Sequence, residues 1–204
     1  MADAKLSALT ALTGANVDDA NDLLYIDDVS VTTSKKILVR ELKNSFLVIA
    51  TEQASTSGTS IDFTGIPAGV RRITIMFKGV STNGTSPVIV QIGDAGGPET
   101  STYLGTGADI PNAAAIVAAN YTTGFGVQGS NSATTVLHGS MILNLENASA
   151  FSWVANANVS NSAAAGLGVG SGSKSLSAEL TQVRITTVNG SDTFDAGAIA
   201  IAYE

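Results

Sequence analysis

Cysteine is absent from this sequence, and His138 is its only histidine. The chain therefore has neither disulfide bonds nor thiolate metal ligands. Any Ser-His-Asp triad or histidine-ligated metal site would depend on His138. In "TVLHGSMILNLEN" the alternation of side chains places His138 on the face opposite Leu137, Met141 and Leu143, so we interpret it as an exposed or interface residue. We expect no catalytic residue, no cofactor and no metal site.

Basic side chains and long apolar runs are scarce as well. Ten Lys and Arg stand against 17 Asp and Glu, which gives a net charge of -7 and a pI near 4.5. Nucleic-acid binding requires a clustered basic face, so we expect no nucleic-acid partner. Gly, Asn and Ser interrupt every uncharged stretch, and "MADAKLSALTALTGA" lacks the basic-then-apolar pattern of a signal peptide. We expect no membrane insertion.

Two glycine-rich segments resemble nucleotide-binding motifs. "GFGVQG" matches the dinucleotide fingerprint at Gly124, Gly126 and Gly129, but "SNSATTVLHGS" follows it where the motif requires a helix. In "GLGVGSGSKS", Ser173 separates Gly172 from Lys174, so the Gly-Lys pair of a phosphate loop is missing. We interpret the first segment as a glycine-rich strand or loop and the second as a flexible surface loop.

Charge divides the chain into a short head and a long body. Residues 1 to 45 carry 12 of the 27 charged side chains, and "FLVIATEQASTSGTS" then passes from an apolar run into a polar loop. We predict an N-terminal attachment segment over residues 1–48 and a body over residues 49–204. Leu38, Leu42 and Phe46 follow helical spacing and predict a short helix in the head. Whether residues 112–120, rich in alanine, are helical stays open.

The body has the pattern of an antiparallel β protein. Apolar residues alternate with others in several short segments, among them "RITIMF", "VIVQIG", "LTQVRITTV" and "AIAIAY". Turn signals such as Asn83-Gly84 and Asn189-Gly190 separate these segments. We predict a mainly β fold of seven to nine strands: an antiparallel β-sandwich or jelly roll, preceded by a small β-plus-short-helix anchoring segment.

The acidic residues of the body are scattered. Only Asp192 and Asp195 bracket one turn, "NGSDTFD". The paired carboxylates of a glycosidase can come from distant positions, so a polysaccharide-cleaving enzyme stays an alternative. In the head, the aspartates lack the spacing of a calcium loop, and we interpret them as turn and cap residues.

The stretch "KLSALTALTGANVDDANDLLYIDDVSVTTSKKILVREL" resembles the opening segment of tail-fibre and other virion proteins of tailed bacteriophages. The shared features are a Lys-Leu-Ser-x-Leu start, an apolar-acidic strand, a Ser/Thr turn and a lysine-bearing strand that leads to Glu-Leu. Residues 61–103, with the turns "IPAG" and "GDAGG", are similar to a β module of phage and prophage virion proteins.

The resemblance implies a structural protein exposed on the surface of a tailed phage particle that is assembled in the host cytoplasm. It implies a homotrimer with other virion proteins, of capsid or tail, as partners. A short tail fibre for host adhesion, with a host surface glycan as ligand, and a capsid decoration protein stay near parity. A free carbohydrate-binding module is a further alternative. The charged side chains that we assign to virion attachment are Asp27, Asp28, Lys35, Lys36, Arg40 and Glu41.

Overall fold

The structure, a computed structural model, describes residues 23–26, 35–38, 47–112 and 114–204. The chain divides into two compact units, Met1–Val48 and Ile49–Glu204. In the first unit, β1 (Leu23–Ile26) pairs antiparallel with β2 (Lys35–Leu38), and Leu23 lies opposite Leu38. The helix predicted from the spacing of Leu38, Leu42 and Phe46 lies outside the described residues, except that Leu38 ends β2.

From residue 48 onward the chain is built from fourteen strands, more than the seven to nine predicted. They are β3 (Val48–Ile49), β4 (Gln53–Ala54), β5 (Ser60–Thr64), β6 (Arg72–Thr82), β7 (Val88–Asp94), β8 (Gly97–Pro98), β9 (Leu104–Pro111), β10 (Val117–Tyr121), β11 (Phe125–Gly126), β12 (Leu137–Asn147), β13 (Ser152–Asn161), β14 (Gly166–Ser175), β15 (Gln182–Thr187) and β16 (Phe194–Tyr203).

These strands form two antiparallel sheets. The large sheet has nine strands, eight of them in the order β10-β9-β14-β13-β12-β6-β16-β3, with β4 also paired to β16. The small sheet has five strands in the order β11-β7-β15-β5, with β8 paired to β7. No helix occurs in the part of the chain that the structure describes. The predicted mainly β, antiparallel sandwich is confirmed.

Two of the connections between the sheets are nested. β6 and β16 are neighbours in the large sheet, and β7 and β15, which adjoin them in sequence, are neighbours in the small sheet. Each of the connections β6–β7 and β15–β16 therefore crosses the sandwich. Such paired crossings are a feature of rolled antiparallel folds.

The core lies between the two sheets and follows the predicted alternation. Along β6, Ile73, Ile75 and Phe77 are buried, while Thr74 and Met76 between them are partly exposed. Each such buried side chain stabilises the fold by about 1.5 to 3 kcal/mol. The largest fully buried side chains on the described residues are Tyr103, Phe125, Phe194, Ile73, Ile75, Ile89, Ile92, Leu137, Met141, Leu143, Ile185 and Ile199.

Glycines take the inward positions of β9 and β14. Gly105, Gly107, Gly170 and Gly172 alternate with outward residues in these two paired strands. A methyl group on Gly170 would overlap the carbonyl oxygen of Gly126, and one on Gly107 would lie 2.5 Å from the carbonyl oxygen of Gln128. The missing side chains let residues 125–128 pack directly on the sheet backbone.

The strands of this region test two of our predictions. The segment "GLGVGSGSKS" is the ten-residue strand β14, so the prediction of a flexible surface loop is wrong. Glycine alternates with larger residues there, which is a strand period that its composition obscured. Residues 117–121, the end of the alanine-rich segment, form strand β10 and not a helix.

The outward-facing side of the large sheet carries few charged residues in the described part of the chain. We define this outer face by the alternate residues that point away from the core on seven strands. They are Ala118 and Asn120; Leu104, Thr106, Ala108 and Ile110; Leu167, Val169, Ser171 and Ser173; Val154, Asn156, Asn158 and Ser160; His138, Ser140, Ile142 and Asn144; Arg72, Thr74, Met76 and Lys78; Ala198, Ala200 and Ala202.

Candidate functional site

The residues assigned to virion attachment are described only in part. Lys35 and Lys36 lie in β2, where their register partners are Ile26 and Tyr25. The other four, Asp27, Asp28, Arg40 and Glu41, lie outside the described residues. Their role in attachment stays a prediction.

His138 lies on the outer face and is exposed. Its register partners are Lys78 on one side and Ser160 on the other, and Ser160 Oγ donates to the His138 carbonyl oxygen at 3.3 Å. Within residues 47–112 and 114–204, no carboxylate is hydrogen-bonded to its ring. The geometry brings neither an orienting acid nor a second metal ligand to this histidine.

Asp192 and Asp195 join the turn that they bracket to β6 and to the β6–β7 connection. Asp192 accepts hydrogen bonds from Asn189 Nδ2 at 2.7 Å and from Ser86 N at 2.9 Å. The Asn189 bond, with that from Ser86, keeps the pKa of Asp192 below its usual value. Asp195 accepts from Ser81 Oγ. Across the described part of the chain, no group of three or more His, Asp or Glu side chains is arranged to hold a metal ion.

A cleft with a volume of about 210 Å³ lies at the end of the glycine-lined strands. We call it the Asp109 cleft. Asp109 stands on β9 and accepts hydrogen bonds from Ser130 Oγ at 2.5 Å and from Gly129 N at 3.3 Å. Ile110 and Leu167, which are register partners, form an apolar margin with 44% and 50% of their surface exposed.

Amide side chains complete the wall of the Asp109 cleft. Gln128 Nε2 donates to Asn131 Oδ1 at 3.0 Å, and Asn131 Nδ2 donates to Thr82 Oγ1 at 3.0 Å. Beneath them the Tyr121 hydroxyl donates to the Gln128 carbonyl oxygen at 2.6 Å. Burial raises the pKa of Tyr121 to about 12, so the hydroxyl stays protonated and keeps this bond at neutral pH.

The chemistry of the Asp109 cleft favours one kind of ligand. Its lining contains hydroxyl, amide and one carboxyl group, and neither Lys nor Arg is among the described lining residues. Such groups both donate and accept hydrogen bonds, which suits a neutral ligand rich in hydroxyl groups. The Asp109 carboxylate disfavours an anionic ligand, because none of the described lining residues is a cation that would offset its charge.

A second polar cluster lies inside the sandwich and holds β14 to the β8–β9 connection. Lys174, whose side chain is 3% exposed, forms an ion pair with Glu99 and donates to Thr102 Oγ1 at 2.8 Å. Its Nζ lies 5.4 Å from the centre of the Tyr103 ring. The Tyr103 hydroxyl accepts from Ile92 N at 2.8 Å and donates to the Glu99 carbonyl oxygen at 2.9 Å. We call these residues the Lys174 cluster.

Two carboxylates at the Lys174 cluster share Ser177. Its backbone N donates to Glu99 Oε1 at 2.7 Å, and its hydroxyl donates to Asp94 Oδ2 at 2.6 Å. The Ser177 hydroxyl lowers the pKa of Asp94. Burial raises the pKa of Glu99, but hydrogen bonds from Lys174 and Ser177 outweigh burial and leave that pKa below its usual value. Both acids are therefore charged, and the cluster is a structural ion-pair network.

Sequence reasoning identified neither the Asp109 cleft nor the Lys174 cluster. Asp109 lies in β9, whereas Gln128 and Asn131 both follow β11, and Asp109 meets them only because β9 and the segment after β11 pack together. Lys174 could have been found from the alternation of glycines in β14, which continues to Lys174 and places it on the inward side.

No family model, curated protein or solved structure matches the chain. Among the residues that the structure describes, none belongs to a helix with the length and apolar character needed to cross a membrane.

Proposed function

We propose that this chain is a non-enzymatic structural protein on the surface of a tailed phage particle, anchored by its N-terminal segment and displaying its β-sandwich outward as part of a homotrimer. The resemblance of residues 5–42 and 61–103 to phage virion proteins supports the virion location. The observation that carries the structural role is how the polar side chains of the body are used. No carboxylate of the described residues is hydrogen-bonded to His138, while Asp94, Glu99, Asp192 and Asp195 fix turns and strands.

Electron microscopy of particles labelled with antibody against the body tests the location directly. Label on the capsid would identify a decoration protein, and label on the tail would identify a fibre or adhesion protein. The absence of label from purified particles would overturn the proposal.

The anchoring role of the N-terminal segment is tested by charge reversal. Changing Lys35 and Lys36 to Glu should abolish incorporation into particles, because a polar junction depends on charge complementarity. Arg71→Glu, at an exposed position outside the outer face, provides the control, since it reverses a positive charge of the body in the same way. Equal incorporation of both variants would place the anchor elsewhere.

The Asp109 cleft favours the adhesion branch over decoration. A capsid decoration protein needs no ligand cleft, whereas an adhesion protein must contact a host molecule, and the hydroxyl and amide lining suits a neutral surface glycan. Binding of the purified chain to host cells, measured before and after enzymatic removal of their surface polysaccharide, tests this branch. If the chain binds neither the untreated nor the treated cells, decoration remains the better proposal.

A polysaccharide-cleaving enzyme is separated from these proposals by its products. Incubation of the purified chain with host capsule or lipopolysaccharide would release new reducing ends if the chain cleaved them. We expect none. A free carbohydrate-binding module would bind the glycan equally well but would be missing from particles.

A further inference from the structure

We infer that the outer face of the large sheet is the surface through which copies of this chain associate. The charge distribution of the outer face supports this. Among the described residues, the outer face as defined above contains no Asp or Glu. Only Arg72, Lys78 and His138 can carry charge there. Glu204, the next alternate residue after Ala202, lies at its margin and forms an ion pair with Arg72 at 3.4 Å. In a chain with net charge -7, an acid-free face is where a second copy can approach with least repulsion.

Acidic side chains begin at the margins of the outer face. Glu146 lies past the irregularity between Leu145 and Asn147, beyond the last row of β12. At the other end, Asp195 accepts from Ser81 just beyond Lys78, and Glu52 lies 4.0 Å from the Lys78 ammonium group. A neutral centre with a charged rim is the usual composition of protein–protein interfaces, which are depleted of charge at their core.

The outer face is also large enough to form a specific protein–protein interface. Seven strands about 4.8 Å apart and four alternate residues about 6.8 Å apart give on the order of 700 Å². Stable protein–protein interfaces bury about 800 Å² from each partner. One outer face against another therefore comes close to the area that specific association requires.

Apolar side chains supply the driving force. Leu104, Ile110 and Leu167 on the outer face are 73%, 44% and 50% exposed. Towards the centre, the row Met76, Ser140, Asn158, Val169 and Ala108 crosses five neighbouring strands in register and mixes apolar with uncharged polar groups. Covering these apolar atoms would be favourable, and the Ser and Asn side chains can hydrogen-bond across the interface.

The outward side of the small sheet lacks these properties. At its centre, Arg184 forms a two-pronged ion pair with Asp62, with distances of 2.7 and 2.8 Å. Thr64 is exposed on the same side of β5. The small sheet therefore provides matched control positions for the same substitutions.

Sedimentation velocity of the full chain at micromolar concentration tests the inference. We expect the wild type to be a closed oligomer. Val169→Glu and the near-isosteric Asn158→Asp place like charges together and should raise the dissociation constant by at least about tenfold. Thr64→Glu should not. Circular dichroism identifies any variant that does not fold, and the small change at Asn158 keeps the test valid if Val169→Glu fails. A monomeric wild type, or folded Glu and Asp variants that assemble as the wild type does, would overturn the inference.

The natural absence of cysteine allows a second measurement on the same chain. Ser140→Cys should react slowly with a maleimide when the protein is concentrated and rapidly after dilution, whereas Thr64→Cys should react rapidly at both concentrations. Equal, rapid reaction of both cysteines would exclude the outer face as an interface. Slow reaction of Ser140→Cys at every dilution in a monomer would mean that the chain's own residues cover the face, which also overturns self-association.

The inference does not depend on the proposed function. Packing one outer face on another gives a twofold dimer, whereas the three copies that the phage resemblance implies would bring two different parts of the outer face together. The two fail separately. An oligomer that depends on Val169 but is missing from particles would contradict the virion location and leave the interface intact. A monomer that is found on particles would support the virion location and contradict the interface.

Discussion

The two halves of the large sheet reach the same tight packing by opposite means. In one half, β6, β12 and β16 fill the interior with large side chains such as Ile75, Met141 and Ile199. In the other half, β9 and β14 present glycine to the interior, and the polypeptide of residues 125–128 takes the place of side chains. Interiors tolerate neither voids nor overlaps. The stability of the first half, which we call the side-chain half, should therefore be sensitive to lost volume. The stability of the second, which we call the glycine half, should be sensitive to added volume.

Removing volume from the side-chain half should have the largest effect. Leu143→Ala leaves a cavity at a side chain that is fully buried, and we expect a loss of about 4 kcal/mol in the free energy of unfolding. Urea denaturation measures it. Ile142→Ala, one residue earlier and on the outer face, should cost clearly less. If both substitutions cost the same, the interior of this half is not close-packed.

Adding volume to the glycine half should have the second-largest effect on stability. Gly170→Ala places a methyl group against the Gly126 carbonyl oxygen, and we expect a loss of about 3 kcal/mol. Gly166→Ala in the same strand is the matched control, because its methyl group would lie 3.2 Å from the nearest atom. The control should stay within about 1 kcal/mol of the wild type. Equal stability of the two variants would mean that residues 125–128 are not packed on β14.

The Lys174 cluster, at the end of β14, tests how the glycine half is fixed. Glu99→Gln leaves the buried Lys174 ammonium group without a countercharge, and we expect a loss of about 2 to 3 kcal/mol. Lys174→Met should cost less, because the Glu99 side chain is 24% exposed and keeps its bond from Ser177 N. Thermal unfolding of the two variants compares them directly. A larger loss of stability for Lys174→Met than for Glu99→Gln would mean that the unpaired Glu99 is more destabilising than the unpaired Lys174.

Acid should weaken the same cluster. The folded-state pKa values of Asp94 and Glu99 lie below their unfolded values, so their contribution is present above the ordinary pKa of a carboxyl group. It is lost as the pH falls through the lowered values. Urea unfolding at about pH 7 and about pH 3 should show this loss, and Glu99→Gln should show less of it. A variant with the same pH dependence as the wild type would exclude Glu99 as its source.

The two halves also differ in how well the sequence predicts them. Alternation of large apolar residues correctly predicted the inward positions of β6, β12, β15 and β16. The glycine half gave no such signal, because a glycine at an inward position looks the same as a glycine in a loop. Residues 125–128 occupy the space that large side chains fill in the other half. No local sequence pattern shows that this segment lies over β9 and β14. Residues Asp109 and Gln128 of the cleft were missed for the same reason.

The smallest effect on stability should occur where the glycine half carries the Asp109 cleft. Asp109→Asn keeps one oxygen as acceptor for Gly129 N or Ser130 Oγ, so the free energy of unfolding should change by less than about 1 kcal/mol. If the cleft binds a host glycan, this substitution should nevertheless reduce adsorption of the purified chain to host cells. A neutral amide has one acceptor atom where the carboxylate has two, and it forms weaker hydrogen bonds with sugar hydroxyl groups.

Asp62→Asn is the matched control for Asp109→Asn. It removes a partly exposed ion pair with Arg184 on the small sheet, which is worth less than about 1 kcal/mol because solvent screens it. Both variants lose one negative charge and little stability, so a difference in adsorption between them can only come from the position of the change. If the two variants adsorb alike, the Asp109 cleft is not the receptor contact, and the glycine half serves the packing of residues 125–128 alone.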